Sequence, residues 1–357
     1  MTAEPAAPRD QANAVMALQR QPATPPRSSD ALSSLADLLH DDLEACNRTI
    51  IARMESPIAL IPRVGAHLVA AGGKRLRPLL TLASARMCGY RATERAMRHV
   101  NLAACVEFIH TATLLHDDVV DESHMRRGRA SANAVFGNEA SVLVGDFLFA
   151  RSFQIMVEDK SLRVLSILSH AAASIAEGEV LQLITQNDLS TSDARYLEVV
   201  QGKTAALFAA ACQVGAVVAE RPPAEEAALA AFGANLGMAF QMVDDALDYS
   251  ADQAILGKTV GDDFREGKVT LPVLSAYRAA GAEARAFWQR TIEASEQTED
   301  DLDHALQLMA ECGAIEATLN HAARFADAAK AALAIFPDSA FRRGLLAVAD
   351  FTVSRSS

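Results

Sequence analysis

Apolar residues recur along the chain at intervals of three and four, as expected of helices that bury one face or are fully buried. No segment alternates between apolar and polar residues over a useful length, so no strand is predicted. The chain is therefore predicted to be all-α. Breaker residues such as Ser56-Pro57, Gly72-Gly73 and Gly89 separate the segments. The predicted helices cover residues 30–54, 62–72, 78–88, 93–121, 139–157, 161–186, 193–220, 223–250, 270–294, 299–312, 314–335 and 338–355.

The first 30 residues do not follow this pattern. They contain five of the twelve prolines and have no apolar core for a secretory signal. They also carry Glu4 and Asp10, and acidic residues are unusual in a transit peptide. We expect residues 1–30 to be a disordered tail and residues 31–357 to form one large domain.

Composition and charge narrow the possible functions. The 357 residues carry a formal net charge of −12, which disfavours nucleic acid and polyanionic surfaces as general partners. The five cysteines are widely spaced and never form a CxxC pair, so a reducing cytoplasm is expected rather than a disulfide framework or a structural zinc site. The most apolar stretch, 205–219, contains Gln213 and is shorter than the roughly 20 residues that span a bilayer. We interpret it as a buried helix.

Two aspartate clusters end apolar helices in different parts of the chain. LLHDDVVD at 114–121 and FQMVDDALDY at 240–249 each contain the pattern DDxxD. On a helix, positions i, i+1 and i+4 lie within a narrow sector, so the three carboxylates of each cluster point together. The clusters consist of Asp117, Asp118 and Asp121, and of Asp244, Asp245 and Asp248.

These clusters are costly, because like charges four residues apart destabilise a helix by a few tenths of a kcal/mol. A single cluster would be interpreted as a solvated acidic helix end. Two clusters, each preceded by two apolar turns at the mouth of a core, indicate a bound divalent cation instead. Mg²⁺ is the predicted cofactor, because it prefers carboxylate oxygens together with water or phosphate.

Basic residues beside the acids indicate that the metal sites also hold an anion. Cations would be redundant if metal binding were the whole task, whereas phosphate or diphosphate binds both Mg²⁺ and arginine. The loop GGKRLRP at 72–78 adds further cations, although alone it would be a common surface loop. The basic residues are Arg126, Arg127 and Arg129 after the first cluster, Lys258, Arg265 and Lys268 after the second, and Lys74, Arg75 and Arg77 in the loop.

The stretch QGKTA at 201–205 partly matches a nucleotide-binding P-loop. A P-loop requires a preceding strand and a glycine where this chain has Leu197, so we exclude that interpretation. Lys203 and Thr204 nevertheless lie within a predicted helix, and Gln241 lies one turn before the second cluster. All three are candidate contacts for an anion.

Five motifs together resemble the trans-polyprenyl diphosphate synthases: GGKRLRP, EFIHTATLLHDDVVDESHMRRG, GNEASVLVGDFLFARSF, QGKTAALF and GMAFQMVDDALDYSADQAILGKTVGDDFREGKVTLPVL. The resemblance covers about residues 35–355, and both aspartate clusters are intact. The sequence is most similar to the bacterial octaprenyl to decaprenyl diphosphate synthases, which supply quinone side chains. The resemblance implies an isoprenoid synthase-type helical bundle with a central cavity, and it makes residues 31–357 a catalytic prenyltransferase domain.

The resemblance also implies roles for individual residues. Isopentenyl diphosphate would bind Lys74, Arg77, His110 and Arg127. The allylic diphosphate would contact Arg126, Lys203, Thr204 and Gln241, with Lys258 and Lys268 nearby in the matching lid segment. Mg²⁺ would bind Asp117, Asp121, Asp244 and Asp248, and catalysis would depend on Asp117, Asp118, Asp121, Lys203, Asp244 and Asp245. Without the resemblance, His110 would be interpreted as an ordinary buried histidine.

These roles imply an ionisation followed by a condensation. Mg²⁺ and cationic side chains would neutralise the diphosphate as its bond to the allylic carbon breaks. The double bond of isopentenyl diphosphate would attack the resulting cation, and a proton would be lost. No side chain is an evident general base, so the departing diphosphate is a candidate.

Product length is predicted from the residues that precede the first cluster. Ala112 and Thr113 lie roughly 6 to 7.5 Å from Asp117 along the helix, and neither is a bulky aromatic residue. By analogy with the family, small residues here leave the product tunnel open, which predicts a chain of about octaprenyl to decaprenyl length. The alternative is that both are ordinary core positions and that another helix forms the floor of the tunnel.

Other functions remain open at this stage. A farnesyl or geranylgeranyl diphosphate synthase would share both clusters, a non-catalytic subunit of a heteromeric synthase should lack part of them, and a terpene cyclase should not need a second diphosphate site. The resemblance implies a homodimer. A hydrophobic product implies delivery to a membrane from a cytoplasmic or membrane-peripheral enzyme, although no basic amphipathic anchor is evident.

Overall fold

The computed structural model describes residues 28–70, 75–91, 93, 97–126, 128–250 and 260–354. Over these ranges the chain consists of helices and one short β-hairpin, which confirms the predicted all-α class. Residues 1–27 lie outside the described part, so the disordered tail stays a prediction. The first helix begins at Ser28, within the range predicted for that tail.

The elements follow one another in a simple order along the chain. They are α1 (Ser28–Leu38), α2 (His40–Arg53), α3 (Leu60–Ala70), α4 (Leu76–Met87), α5 (Arg98–Val120), β1 (Met125–Arg126), β2 (Arg129–Ala130), α6 (Ala132–Phe136), α7 (Asn138–Glu158), α8 (Leu162–Thr185), α9 (Asp193–Val200), a π-helical turn (Gln201–Ala205), α10 (Ala206–Val218), α11 (Pro223–Leu247), α12 (Asp262–Arg265), α13 (Leu271–Ala279), α14 (Ala282–Trp288), a second π-helical turn (Gln289–Glu293), α15 (Asp301–Glu311), α16 (Ala314–Ala332), a 3₁₀ turn (Leu333–Ile335) and α17 (Ala340–Ser354).

The centre of the bundle is formed by α5, α10 and α11. Helices α4 and α7 pack on α5, and α10 and α16 both pack on α11. Phe108, Phe208 and Phe232 fill this core and are fully buried. A second apolar cluster around Phe264 and Trp288 fixes the segment that follows the second aspartates.

Two predicted helices are interrupted in the structure. The helix predicted over 30–54 breaks at Leu39, whose side chain is buried and whose N–H bonds to the carbonyl of Ala36 in a tighter turn. The helix predicted over 270–294 breaks at Ala280, which is extended (ψ 138°). The glycine that follows Ala280 favours such a break, because glycine loses more conformational entropy in a helix than any other residue.

The β-hairpin of β1 and β2 was not predicted, and neither were the short helices α6 and α12. Elements of two to five residues are too short to show a hydrophobic period. In the hairpin, Arg126 pairs with Arg129 across a turn that contains Gly128 at φ 73°. The hairpin holds Arg126 beside the end of α5.

Helices α7 and α8 each bury one side on the core and leave apolar residues of the other side exposed. Both are long and apolar enough to cross a membrane, by length and composition alone. Leu143 on α7 and Leu183 and Ile184 on α8 are among the exposed residues. The two helices therefore present an apolar surface that no other described part of the chain covers.

Candidate functional site

Both aspartate clusters lie at the C-terminal ends of helices, as the sequence predicts. Asp121 caps α5 and Asp248 caps α11. The negative end of the helix dipole adds to the repulsion among these carboxylates. Asp118 and Asp245 are only 1% and 4% exposed, so water does not stabilise their charges. Each cluster therefore needs cations supplied from elsewhere.

Lys268 supplies a positive charge between the clusters. Its ammonium donates a hydrogen bond to Asp121 at 3.0 Å and contacts Glu266. Burial alone would lower the pKa of Lys268, but the charges of Asp263, Asp121 and Glu266 raise it above its ordinary value. The lysine therefore stays charged, and the segment that follows the second cluster reaches the first.

Asp263 on α12 links the segment that carries Lys268 to the second cluster. Its backbone N–H donates a hydrogen bond to the Asp248 carboxylate at 3.0 Å. Burial and the nearby charge of Asp263 raise the pKa of Asp248 to about 8. Burial also raises the pKa of Asp263 to about 6, although Lys268 opposes the shift. Sequence reasoning missed Asp263, although the stretch GDDFREGK offered a signal, since it places a third acidic pair beside Lys268.

Both carboxylate oxygens of Asp245 accept hydrogen bonds from neighbouring side chains. Tyr196 donates to one of its carboxylate oxygens at 2.6 Å, and the Gln241 amide donates to the other at 2.8 Å. The Thr204 hydroxyl donates to Gln241 at 2.7 Å. Burial raises the pKa of Asp245 to about 7, with Asp263 contributing in the same direction. Asp245 thus holds Gln241 and Thr204, two predicted diphosphate contacts, in place.

Asp118 likewise accepts hydrogen bonds from neighbouring side chains. Arg126 donates to its carboxylate at 2.7 Å, and the Asn133 side chain donates to its backbone carbonyl at 2.9 Å. Because Asp118 holds the hairpin in this way, Asp117 and Asp121 are the members of the first cluster best placed to bind a ligand. Arg126, a predicted contact of the allylic diphosphate, is brought to the site by this ion pair.

Lys203 reaches the first cluster from the π-helical turn Gln201–Ala205. This turn touches the backbone of α8 at Gly178. A Cβ at that position would lie 2.4 Å from the backbone nitrogen of Lys203, so only glycine fits there. The contact lets the Lys203 ammonium donate to Glu179 at 2.7 Å. Burial raises the pKa of Asp117 to about 7, and the charge of Lys203 opposes this shift. A continuous helix was predicted over 193–220, and the π-helical turn within it was not predicted. Such turns are frequent at functional sites.

A second cationic group lies along the face of α5 that carries Asp117. Arg77 lies 3.1 Å from the His110 ring nitrogen, and its guanidinium lies 4.6 Å from the centre of the Phe208 ring. His110 precedes Asp117 by seven residues, which is about 10 Å along the helix. Three predicted substrate contacts, Lys74, Arg127 and Lys258, lie outside the described residues, and their roles stay predictions.

The two residues predicted to control product length differ in their surroundings. Ala112 is fully buried in the core. Thr113 is partly exposed on the face of Asp117, and its hydroxyl donates to the carbonyl of His110 at 2.8 Å. Thr113 is therefore the better candidate for the wall of a tunnel.

The carboxylates fit Mg²⁺ in their chemistry. Within the part of the chain that the structure describes, no three histidine, cysteine, aspartate or glutamate side chains form a metal site by themselves. Asp117 and Asp121, with Asp244 and Asp248, offer the oxygens that Mg²⁺ prefers. Burial raises the pKa values of Asp117 and Asp248, so a bound cation would favour the charged carboxylates. Mg²⁺ usually takes its remaining ligands from water and phosphate, so incomplete protein sites are expected.

Comparisons with known proteins cover all of these residues. The polyprenyl synthetase family model matches residues 58–309. The octaprenyl diphosphate synthase of Haemophilus influenzae is 46% identical over 329 residues, which is 92% of this chain and 98% of the relative. A polyprenyl synthase structure from Caulobacter crescentus, complexed with calcium and isoprenyl diphosphate, is 53% identical with a TM-score of 0.87, and the match covers 91% of this chain and 98% of that one. A decaprenyl diphosphate synthase structure from Rhodobacter capsulatus is 51% identical with a TM-score of 0.86, covering 91% and 99%.

Proposed function

Because the chain belongs to the polyprenyl synthetase family, we propose that it condenses isopentenyl diphosphate head to tail onto an allylic diphosphate. The product is a long-chain all-trans polyprenyl diphosphate, of about octaprenyl to decaprenyl length, for quinone side chains. The predicted family, the all-α fold and the prenyltransferase activity are confirmed. The observation that carries the proposal is the bond between Lys268 and Asp121, because it brings the segment that follows the second aspartate cluster to the first cluster.

The carboxylates of the two clusters would hold Mg²⁺ ions in this centre. Asp117 and Asp121 would contribute from α5, and Asp244 and Asp248 would contribute from α11. Bound Mg²⁺ would supply the charge that stabilises the diphosphate as it leaves the allylic carbon.

The lysines of the site support the same step. Lys203 and Lys268 come from different segments, and their pKa values are raised by the surrounding acids even though burial opposes this. Fixed positive charges in a site with little water stabilise a developing anion strongly, since no solvent must reorganise. Lys203 and Lys268 therefore contact the allylic diphosphate and stabilise it as it departs.

The second substrate occupies the other cationic group. Arg77 and His110 hold the diphosphate of isopentenyl diphosphate, about 10 Å along α5 from Asp117. A rigid helix thus sets the distance between the two diphosphates, which brings the double bond toward the allylic carbon.

The exposed surface of α7 and α8 supports the homodimer. Its apolar residues include Leu143, Val180, Leu183 and Ile184. Several large apolar residues exposed on two packed helices are typical of a protein interface. Two protomers that pair through α7 and α8 would bury these residues.

The activity is tested by incubating the purified chain with farnesyl diphosphate, labelled isopentenyl diphosphate and Mg²⁺. We expect labelled lipid to form with all components and to disappear when the metal is chelated or the allylic primer is omitted. A non-catalytic subunit would give no product alone. A terpene cyclase would convert the allylic diphosphate without isopentenyl diphosphate, and either result would overturn the proposal.

A further inference from the structure

We propose that Glu107 is a positioning residue for isopentenyl diphosphate, acting through Arg75 to fix the first turn of α4 and thereby place Arg77 against His110. The inference rests on the proposed function, because it concerns the substrate that Arg77 and His110 hold. Glu107 itself is buried, and its carboxylate pairs with Arg75.

The backbone of Arg75 shows that the start of α4 must be held from outside. Arg75 adopts φ 46° and ψ 38°, a left-handed conformation that non-glycine residues rarely take. Its carbonyl accepts the N–H of Leu79 at 2.9 Å, so the first turn of the helix is built on this residue. Unfavourable backbone conformations persist when the surrounding structure determines them.

The ion pair with Glu107 provides this external support. The guanidinium of Arg75 bonds to the carboxylate of Glu107. Glu107 is only 8% exposed, and a buried carboxylate without a cation is costly, so the pair is held strongly. Cys46 is buried nearby, and its thiol has a pKa raised to about 12 by burial and by the charge of Glu107, with the charge of Arg75 opposing the shift.

The spacing of the partners links this pair to the substrate site. Glu107 and His110 are three residues apart on α5 and therefore neighbours on its surface. Arg75 and Arg77 are two residues apart at the start of α4, and each meets one of them. The guanidinium of Arg77 also stacks on Phe208, so its position depends on where the first turn of α4 begins.

The opposite end of α4 offers a matched control. Arg86 donates to Asp42 at 2.7 and 2.6 Å, and a His99 ring nitrogen lies 3.1 Å from Asp42. This ion pair, with a buried carboxylate and a partly exposed guanidinium, also holds α4, but Arg86 lies about two and a half turns from Arg77 along the helix. Its loss should affect stability without affecting the binding of isopentenyl diphosphate.

The test is Glu107→Gln, which removes the charge and keeps the shape. We expect KM for isopentenyl diphosphate to rise by about tenfold or more, while kcat and KM for the allylic diphosphate change by less than about twofold. Glu107→Asp should recover part of the loss. Asp42→Asn should lower the melting temperature and leave both KM values unchanged.

An unchanged KM for isopentenyl diphosphate in Glu107→Gln, or equal increases of both KM values, would overturn the inference. If Glu107→Gln does not fold, Arg75→Lys provides the same test, because it keeps the charge but loses the fork that fixes the backbone. A selective rise of the same KM supports the inference and an unchanged KM overturns it. Absence of product from the wild-type chain would instead refute the proposed function.

Discussion

The ammonium of Lys268 donates a hydrogen bond to the carboxylate of Asp121 at 3.0 Å, although 147 positions separate the two residues in the chain. Asp121 belongs to the first aspartate cluster, and Lys268 follows the second. The bond therefore connects the segment after the second cluster to the first cluster. It also shows that the carboxylates of α5 are arranged to receive a cation from outside their own helix.

Lys268→Gln should strongly lower turnover. In the proposed mechanism the variant removes a fixed positive charge from beside the leaving group, and loss of one such donor typically costs about 10²–10³-fold in kcat. Steady-state rates at saturating substrates provide the measurement. Lys330→Gln is the control, because Lys330 pairs with Asp327 and Asp350 on the surface, and its rate should stay within about twofold of wild type.

Asp117→Asn should lower turnover by orders of magnitude while the fold is retained. Burial already raises the pKa of Asp117 to about 7 without metal, so a neutral side chain costs little folding free energy there. The melting temperature without metal should be equal or higher, and its increase on adding Mg²⁺ with inorganic diphosphate should shrink. Asp327→Asn, at an exposed site, should behave as wild type, whereas near-normal turnover of Asp117→Asn would contradict a metal role.

The lowered pKa of Asp42 predicts how the free energy of unfolding depends on pH. Burial would raise its pKa, but hydrogen bonds from His99 and Arg86 lower it well below the ordinary value of 3.8. A lowered carboxyl pKa stabilises the fold above that ordinary value, and the contribution is lost as pH falls below it. Asp42→Asn should therefore reduce the free energy of unfolding by about 3 kcal/mol at pH 7, since Arg86 is partly exposed. The reduction should be modestly smaller at pH 3, which lies below the ordinary pKa of a carboxyl but still above the lowered pKa of Asp42 in the folded state. Urea unfolding at both pH values measures this, and equal penalties would contradict it.

Thr113→Phe should shorten the product without abolishing turnover. Thr113 is partly exposed on the face of Asp117, so a phenyl ring there would extend into the space that a growing chain needs. Mass analysis of the products gives the chain length, and Thr113→Val is the control of similar size. Ala112→Phe should mainly destabilise the core, typically by about 1–3 kcal/mol, because Ala112 is fully buried. Products of unchanged length from Thr113→Phe would place the floor on another helix.

Leu143→Glu should convert the proposed dimer into monomers. Leu143 is 66% exposed on α7, and a charge buried in an apolar interface is costly. Light scattering after size-exclusion chromatography reports the mass. Leu38→Glu, at a residue 51% exposed on α1, should leave the mass unchanged. A monomeric wild-type chain would refute the dimer itself.

The sequence predicted the parts of the site that depend on local spacing. The DDxxD pattern places carboxylates at the ends of α5 and α11 because helix geometry alone brings positions i and i+4 together. The apolar turns before each cluster predicted that these ends would lie at a core. Helix types and most boundaries followed from the same periodicity.

The remaining parts depend on contacts between distant segments, which spacing does not show. Glu179 meets Lys203 because two glycines let α8 touch the π turn, and nothing in the apolar sequence of α8 marks that residue. Tyr196 was missed for the same reason, since its bond to Asp245 spans 49 positions. The different surroundings of Ala112 and Thr113 likewise depend on which helices pack against α5.

We expect both aspartate clusters to bind metal around one diphosphate. A crystal structure of the chain with Mg²⁺ and a non-hydrolysable thio-analogue of farnesyl diphosphate tests it most directly. Mg²⁺ ions should lie on Asp117 and Asp121 and on Asp244 or Asp248, all bound to the same diphosphate, with Lys203 and Lys268 against its oxygens. Metal at only one cluster, or a diphosphate that binds away from both, would contradict it.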